Sequence, residues 1–459
     1  MWNFYNSRNF QFAWFDEEGL SEHGEAFWNL YLMYEKGSND SLYSGMILKN
    51  RMESLEESGD KLSWADLKET ELQLTKYFFK YLSGIFDTKL APEEMQWHIP
   101  RRKINATAVL DSFLAAKKPR LRPLSNDFYK LQEKLIQYDS IKKKGGWELI
   151  DPVKRALEQG AADPVITQVK RRLAITGELL SKDTSQKFTR DLRKAVIGAQ
   201  RAYGLRETGV INQTFVQLLN VPIITLIRKM EINLDRMRWM PQEGPDRIIA
   251  NIPEFGLHVF SGGKPALSMS IVAGQAAHQT VIFSDSLQYI VFSPYWNIPA
   301  SIVKREILPA IKADPGYLSR NNMEITGNAG DLPLIRQRPG VGNALGKVKF
   351  IFPNRYHIYF HDTPAKTLFN RKQRAFSHGC IRLSKPYELA CFLLRADKAW
   401  NTRKIRLAMN RNNETWVKLD TAIPVFIVYF TAWVDEDGRL NFRDDVYGHD
   451  RRMEAHLFN

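Results

Sequence analysis

Apolar positions in the first third of the chain recur at intervals of three and four. Between Asp66 and Leu82 the residues Leu67, Leu72, Leu74, Phe78, Phe79 and Leu82 follow one helical face, and little before Lys144 alternates as a strand would. The pattern predicts a helical domain over 1–155, punctuated by Pro92, Pro100, Pro119 and Pro123 and ending near an exposed Lys142-Lys143-Lys144-Gly145-Gly146 turn. Val169, Leu173, Leu179, Val196, Ala199, Leu218 and Leu219 then predict a small three-helix module over 156–222. A connecting helix, Ile223 to Trp239, occupies 223–247. From 248 to 459 the period changes: Leu267, Met269 and Ile271 alternate with Ser268 and Ser270, and Val348, Phe350 and Phe352 alternate again. Val425 to Phe430 predicts a late central strand. A helix-like Ile302 to Ile311 and a Pro/Gly-bounded loop interrupt the strands over about 297–340, as an inserted cap would. The fold class expected is α+β and multidomain, with a helical N-terminal part and a β-rich C-terminal domain.

Composition narrows this picture without changing it. A chain of 459 residues, 44% hydrophobic and 25% charged, is an ordinary globular composition rather than a disordered or collagenous one. The excess of 65 basic over 51 acidic residues, +14, implies attraction to an anionic partner and leaves nucleic acid, lipid and wall polymer open. Two cysteines, Cys380 and Cys391, exclude a disulfide framework. The apolar stretch Ala422–Val434 is too short to cross a bilayer, so no transmembrane segment is expected. Met1–Phe15 has neither the apolar core nor the small-residue cleavage site of an export signal.

Chemistry concentrates in Ser377-His378-Gly379-Cys380-Ile381-Arg382 and the preceding Tyr359-Phe360-His361-Asp362-Thr363. A thiol attacks as thiolate, which nearby cations favour, so a cysteine among histidines and an arginine is a candidate nucleophile. Gly379 removes a side chain beside the sulfur and would leave main-chain N–H groups free for an oxyanion. Ser384 and Pro386 mark a helix start that would bring a helix N-terminus near Cys380. Cys391, inside that helix, reads as a buried core thiol. Spacing leaves two candidate bases, His378 two residues from Cys380 and His361 nineteen residues before it, at the end of a Tyr356 to Phe360 strand pattern.

His361, fifteen intervening residues and Ser377-His378-Gly379-Cys380 match the signature of the L,D-transpeptidase (YkuD-type) catalytic domain. Pro294-Tyr295-Trp296-Asn297-Ile298-Pro299, Pro315-Gly316-Tyr317-Leu318 and Gly346-Lys347-Val348-Lys349-Phe350 extend the likeness to the large murein subgroup. Ala199-Gln200-Arg201-Ala202-Tyr203-Gly204-Leu205, with Thr208-Gly209-Val210-Ile211, resembles a peptidoglycan-binding domain, although the family's phenylalanine is Ala199 here. The resemblance implies Cys380 as nucleophile, His361 as base oriented by the main-chain carbonyl of Asp362, and His378, Gly379, Ser377 and Arg382 in support. Tyr359 and Tyr356 are cleft candidates. The implied reaction is acyl transfer from a peptidoglycan tetrapeptide stem through a thioester, with loss of D-alanine, to a diaminopimelate amine. Hydrolysis and noncatalytic wall binding are the alternatives. Implied partners are stem peptides, glycan and wall-synthesis accessory proteins, in the periplasm or envelope, with no cofactor and no metal.

Three rivals are weaker. Cys380, His378 and His361 could furnish zinc ligands, but no second cysteine lies near. Gly340, Gly342, Gly346 and Lys347 miss the phosphate-loop register, and Val348 stands where a hydroxyl is needed. Scattered basic residues without a recognition motif argue against nucleic acid.

Overall fold

The computed structural model describes residues 1–37, 46–58, 63–86, 90–100, 104–121, 124–180, 183–241 and 244–458; the predicted turn residue Pro123 lies outside them. The chain forms two compact units, one of residues 1–91, 101–129 and 237–242, the other of 92–100, 130–236 and 243–459.

The first unit is helical apart from a short hairpin, β1 (Phe15–Asp16) with β2 (Gly19–Leu20). Its longest helix, Trp64–Phe86, buries Leu74, Phe78 and Leu82 against Trp14, Phe27 and Phe113, as three-and-four spacing requires. Glu71 is buried in the same core. Its carboxylate accepts from the Tyr5 hydroxyl at 2.8 Å and from the amides of Ala13 at 2.7 Å and Trp14 at 3.0 Å. These bonds satisfy a group whose pKa burial raises.

In the second unit, helices Pro164–Ile175, Arg190–Ala202 and Gln213–Leu219 start at Asp163, Thr189 and Asn212, whose side chains each accept from an amide of the first turn. Ile166, Val169, Val196, Ala199 and Phe215 form their core. Buried Gln200 ties down the following loop, accepting from Gly209 N at 2.8 Å and donating to Val210 O at 2.9 Å. Helix Ile223–Trp239 has the predicted span. From it Asn233 donates to Thr431 Oγ1 at 2.8 Å, and Arg236 forms a buried 2.6 Å ion pair with Asp450.

The β domain contains a short parallel addition, β3 (Trp97–His98), and then β4 (Arg247–Asn251), β5 (Gly256–Ser261), β6 (Lys264–Gly274) and β7 (Ile282–Phe292). After the cap strands β8 (Trp296–Asn297), β9 (Met323–Ala329) and β10 (Leu332–Gln337) come β11 (Val348–Ile351), β12 (Phe360–His361), β13 (Ala375–Ser377) and β14 (Ile381–Leu383). The long β15 (Thr415–Val428) and a hairpin, β16 (Ala432–Val434) with β17 (Leu440–Phe442), follow. Hydrogen bonding runs β11-β12-β14-β6-β5-β4-β15-β7 and returns from β7 to β11, closing a barrel. Partnered residues share a face. Ile248, Val259, Ile271, Leu383, Ile381, Phe360, Phe350, Ile290 and Val425 are linked by register or strand alternation into one inner face, and all are buried.

Two predicted strands differ in extent. β15 starts ten residues before Val425, because Trp416-Val417-Lys418-Leu419 already alternates; the ladder slips between Lys418 and Ile423, just before Pro424. The expected Tyr356–Phe360 strand shrinks to Phe360–His361, since Asn354 folds the preceding residues into a turn in which His357 takes φ +56°. Residues 300–313 are helical with a π-type turn at Val303–Ile307. They pack on the β8-β10-β9 sheet around Ile298, Ile302, Val303, Ile307 and Ile335.

Candidate active site

The outer face of β11, β12 and β14 assembles the chemistry. Lys349 pairs with His361 across β11 and β12, and His361 with Arg382 across β12 and β14, so all three side chains share the face opposite buried Phe350, Phe360 and Ile381. Tyr359 precedes His361 by two residues and Cys380 precedes Arg382 by two, which brings phenol and thiol to the same end of that face. The Ile381 amide donates to Tyr359 O at 3.2 Å and fixes this alignment.

Cys380 occupies the tight bend between β13 and β14. Gly379 stands at φ +114°, which side-chain-bearing residues avoid. Buried Ser377 donates from Oγ to Cys380 O at 2.5 Å and accepts from Gly379 N at 3.2 Å, while Thr280 Oγ1 donates to Gly379 O at 2.8 Å. The Gly379 amide is therefore occupied rather than free for an oxyanion. The Cys380 amide has no hydrogen-bond partner among the described residues. The predicted helix begins only at Pro386, after β14 has carried the chain away from the sulfur, so no helix start adjoins the thiol. Cys391 is half-buried rather than buried.

His361 is 4% exposed and donates from Nδ1 to Asp362 O at 2.5 Å, a bond that leaves Nε2 as the lone-pair nitrogen. Burial, then the charge of Arg382, pushes its pKa down to about 3. Burial pushes the Cys380 thiol up, against the opposing pull of Tyr359, Arg382 and Lys349. The thiol accordingly donates to His357 O at 3.7 Å. Burial thus works against the thiolate favoured by an imidazolium that the residue types suggest, because it penalises the charged form of each group. The Asp362 carboxylate points elsewhere: it takes 2.5 Å and 2.9 Å bonds from Lys366 Nζ and Lys347 N.

Burial also lowers the pKa of Arg382, whose Nε has no hydrogen-bond partner among the described residues, and of Lys349. Lys349 Nζ lies 5.6 Å and 5.5 Å from the ring centres of Tyr359 and Trp416. His378 turns toward the cap, with Nε2 3.3 Å from Glu306 Oε1 and its ring 5.4 Å from that of His278. Tyr359 stays in the group, its ring 5.8 Å from His361. Tyr356 packs on Phe283 and His98 instead. Among the described residues no three metal-ligating side chains gather.

Trp416, Thr280 and Glu306 were not singled out by the sequence, and Lys349 stood in a quoted motif without a role. Lys349 sits between Val348 and Phe350 in an alternating strand, a pattern that ordinarily marks a solvent face.

Residues 245–400 match the model of the L,D-transpeptidase catalytic domain (YkuD), and residues 1–144 that of a scaffold domain. A Haemophilus influenzae protein provisionally named an L,D-transpeptidase is 32% identical over 250 residues, 51% of this chain and 50% of its own length. The chain thus spans about half of that curated relative. Among solved structures, an L,D-transpeptidase from Stackebrandtia nassauensis is 12% identical, with TM-score 0.26 over 61% of this chain and 97% of its own. One from Mycobacterium smegmatis is 13% identical, with TM-score 0.23 over 41% and 60%.

Proposed function

We propose that this chain, which carries an L,D-transpeptidase catalytic domain of the YkuD family behind a scaffold domain, transfers acyl groups between peptidoglycan stem peptides with Cys380 as nucleophile and His361 as general base. The observation that supports this reading is the strand register, which sets Lys349, His361 and Arg382 on one face, with Cys380 two residues before Arg382 in the bend that enters β14.

As a donor tetrapeptide binds, His361 Nε2 takes the Cys380 proton while sulfur attacks the carbonyl at the L-centre of diaminopimelate. The negative oxygen that forms is stabilised by the unpartnered Cys380 amide and by the charges of Arg382 and Lys349. Collapse breaks the amide bond; the departing D-alanine nitrogen takes the proton from His361, and a thioester remains. The side-chain amine of a second diaminopimelate then attacks the thioester, loses a proton to His361 and returns the sulfur as thiol. A neutral imidazole suits both halves, since it accepts and returns one proton per step. Unpaired Arg382 Nε supports a further role in holding a stem carboxylate. Tyr359 lines the donor cleft, and the cap bearing Glu306 covers it through His378. We read 1–155 as scaffold, 156–222 as wall-binding module, 223–247 as connector and 248–459 as catalytic domain with its cap at about 297–340. Stem peptides place the work in the envelope, where the +14 charge favours association with wall carboxylates.

Incubation with a purified disaccharide tetrapeptide and mass analysis of the products tests the transfer. Crosslinked dimers formed with release of D-alanine are expected. Tripeptide alone would make water the acceptor, and unchanged tetrapeptide would leave a binding scaffold.

A further inference from the structure

A cleft of about 670 Å³ lies where the three-helix module meets the barrel, and none of its lining residues belongs to the group around Cys380. One wall is the turn after helix Arg190–Ala202, which contains Arg206. The others are the β4–β5 turn with Glu254, the Asn370–Arg374 segment and the chain after β17 with Arg443 and Asp444. The carboxylates at hand are mostly engaged: Glu207 by Arg201 and Glu254 by His258. Among the described residues, Arg206, Arg371, Lys372, Arg374 and Arg443 form no ion pair.

Two of these cations are held in place by main-chain oxygens. Arg374 donates to Ile271 O at 3.2 Å, Arg371 O at 3.0 Å and Phe255 O at 3.1 Å. Arg443 donates to Ala202 O at 2.7 Å and Phe442 O at 2.8 Å. Gly204 stands at φ +65° against Arg443, where a Cβ would meet the guanidinium, so the module seats closely on this side chain. Fixed guanidiniums with N–H groups to spare, flanked by exposed Arg206, Arg371 and Lys372, make a preorganised receptor for several separated anions. Exposed Asp444 adds one acceptor for an ammonium group.

We propose that this cleft is a second binding site, for an oligopeptide bearing several carboxylates and an amine, the chemistry of a peptidoglycan stem. The identity of the ligand rests on the acyl-transfer reading above; the anionic character of the site does not. An extended peptide fits the spread of charge over three walls better than a single phosphate, which would need its donors converging on one point. The site also adjoins the nucleophile's support. Arg374 leads directly into β13, and its carbonyl accepts from Ala273 N at 2.9 Å, so a bound stem would brace the strand that ends in Ser377 and the Cys380 bend. Wall engagement and nucleophile placement would then share one segment.

Titration of fluorescently labelled tetrapeptide into the full chain carrying Cys380→Ala tests this. Two sites per chain are expected. Arg371→Glu with Lys372→Glu, both exposed positions, should weaken one of them at least about tenfold and remove its salt dependence. The same pair in Cys380-intact protein should leave melting temperature unchanged, which separates loss of binding from loss of fold. Arg206→Glu, on the opposite wall, should reproduce the loss. A single site in the parent, binding unaffected by both sets of variants, or a response seen only with polyphosphate as probe would overturn the proposal. Absence of D-alanine release from Cys380-intact protein would instead strike the catalytic reading, while charge-dependent tetrapeptide binding would still be measurable.

Discussion

The lowered pKa of His361 sets how the reaction responds to pH. With its pKa pushed down to about 3, His361 is unprotonated throughout the neutral range, so kcat/KM should show no acid limb between about pH 5 and 8. A preformed imidazolium–thiolate pair would instead show a limb near the ordinary histidine value. Lys349 and Arg382 both draw the thiol pKa down against burial. Lys349→Met should therefore shift iodoacetamide alkylation of Cys380 to higher pH and lower kcat/KM about tenfold or more, the scale of one lost stabilising charge. Unchanged alkylation would remove Lys349 from the site. The grouping of His361 and Arg382 close to Cys380 could be expected because a thiol, an imidazole and a guanidinium stand at a recognisable spacing. The place of Lys349 could not, because its closeness to them arises from pairing between β11 and β12, which local pattern does not encode.

The Cys380 bend is held by polar contacts more than by packing. Ser377→Ala removes both the bond to Cys380 O and the acceptor for Gly379 N, a loss of about 1–3 kcal/mol. Its kcat should fall several-fold with little change in KM, as measured on tetrapeptide donor; equal losses in Ser377→Ala and a remote destabilising variant would make the role purely structural. Helices and the alternating strands were readable because one buried face imposes period on sequence. The short β14 was not, since three residues carry no period; β12 proved shorter than the Tyr356–Phe360 pattern, and the first half of β15 was hidden by Pro424 and the ladder slip before it. Burial likewise escaped the sequence, and with it the sign of the Cys380 and His361 shifts.

At the scale of the molecule, buried histidines couple stability to acid. His361 and His449 titrate at about 3 and about 4 when folded, below the ordinary 6.5, so the unfolded chain binds more protons between those values. Their stabilisation is complete above pH 6.5 and is lost as pH falls, at about 1.4 kcal/mol per pH unit for each histidine. Urea unfolding from pH 7 to 4.5 should show this slope, reduced by about half of the histidine contribution in His449→Phe; an unchanged slope would mean His449 is already charged or exposed.

The co-facial thiol and imidazole are tested most directly by intact-mass spectrometry of the full chain quenched in acid during turnover of disaccharide tetrapeptide. An adduct equal to the donor minus D-alanine should appear on the Cys380 peptide, vanish in Cys380→Ala and accumulate far more slowly in His361→Gln. D-alanine release that persists in Cys380→Ala, or an adduct on any other residue, would contradict the account.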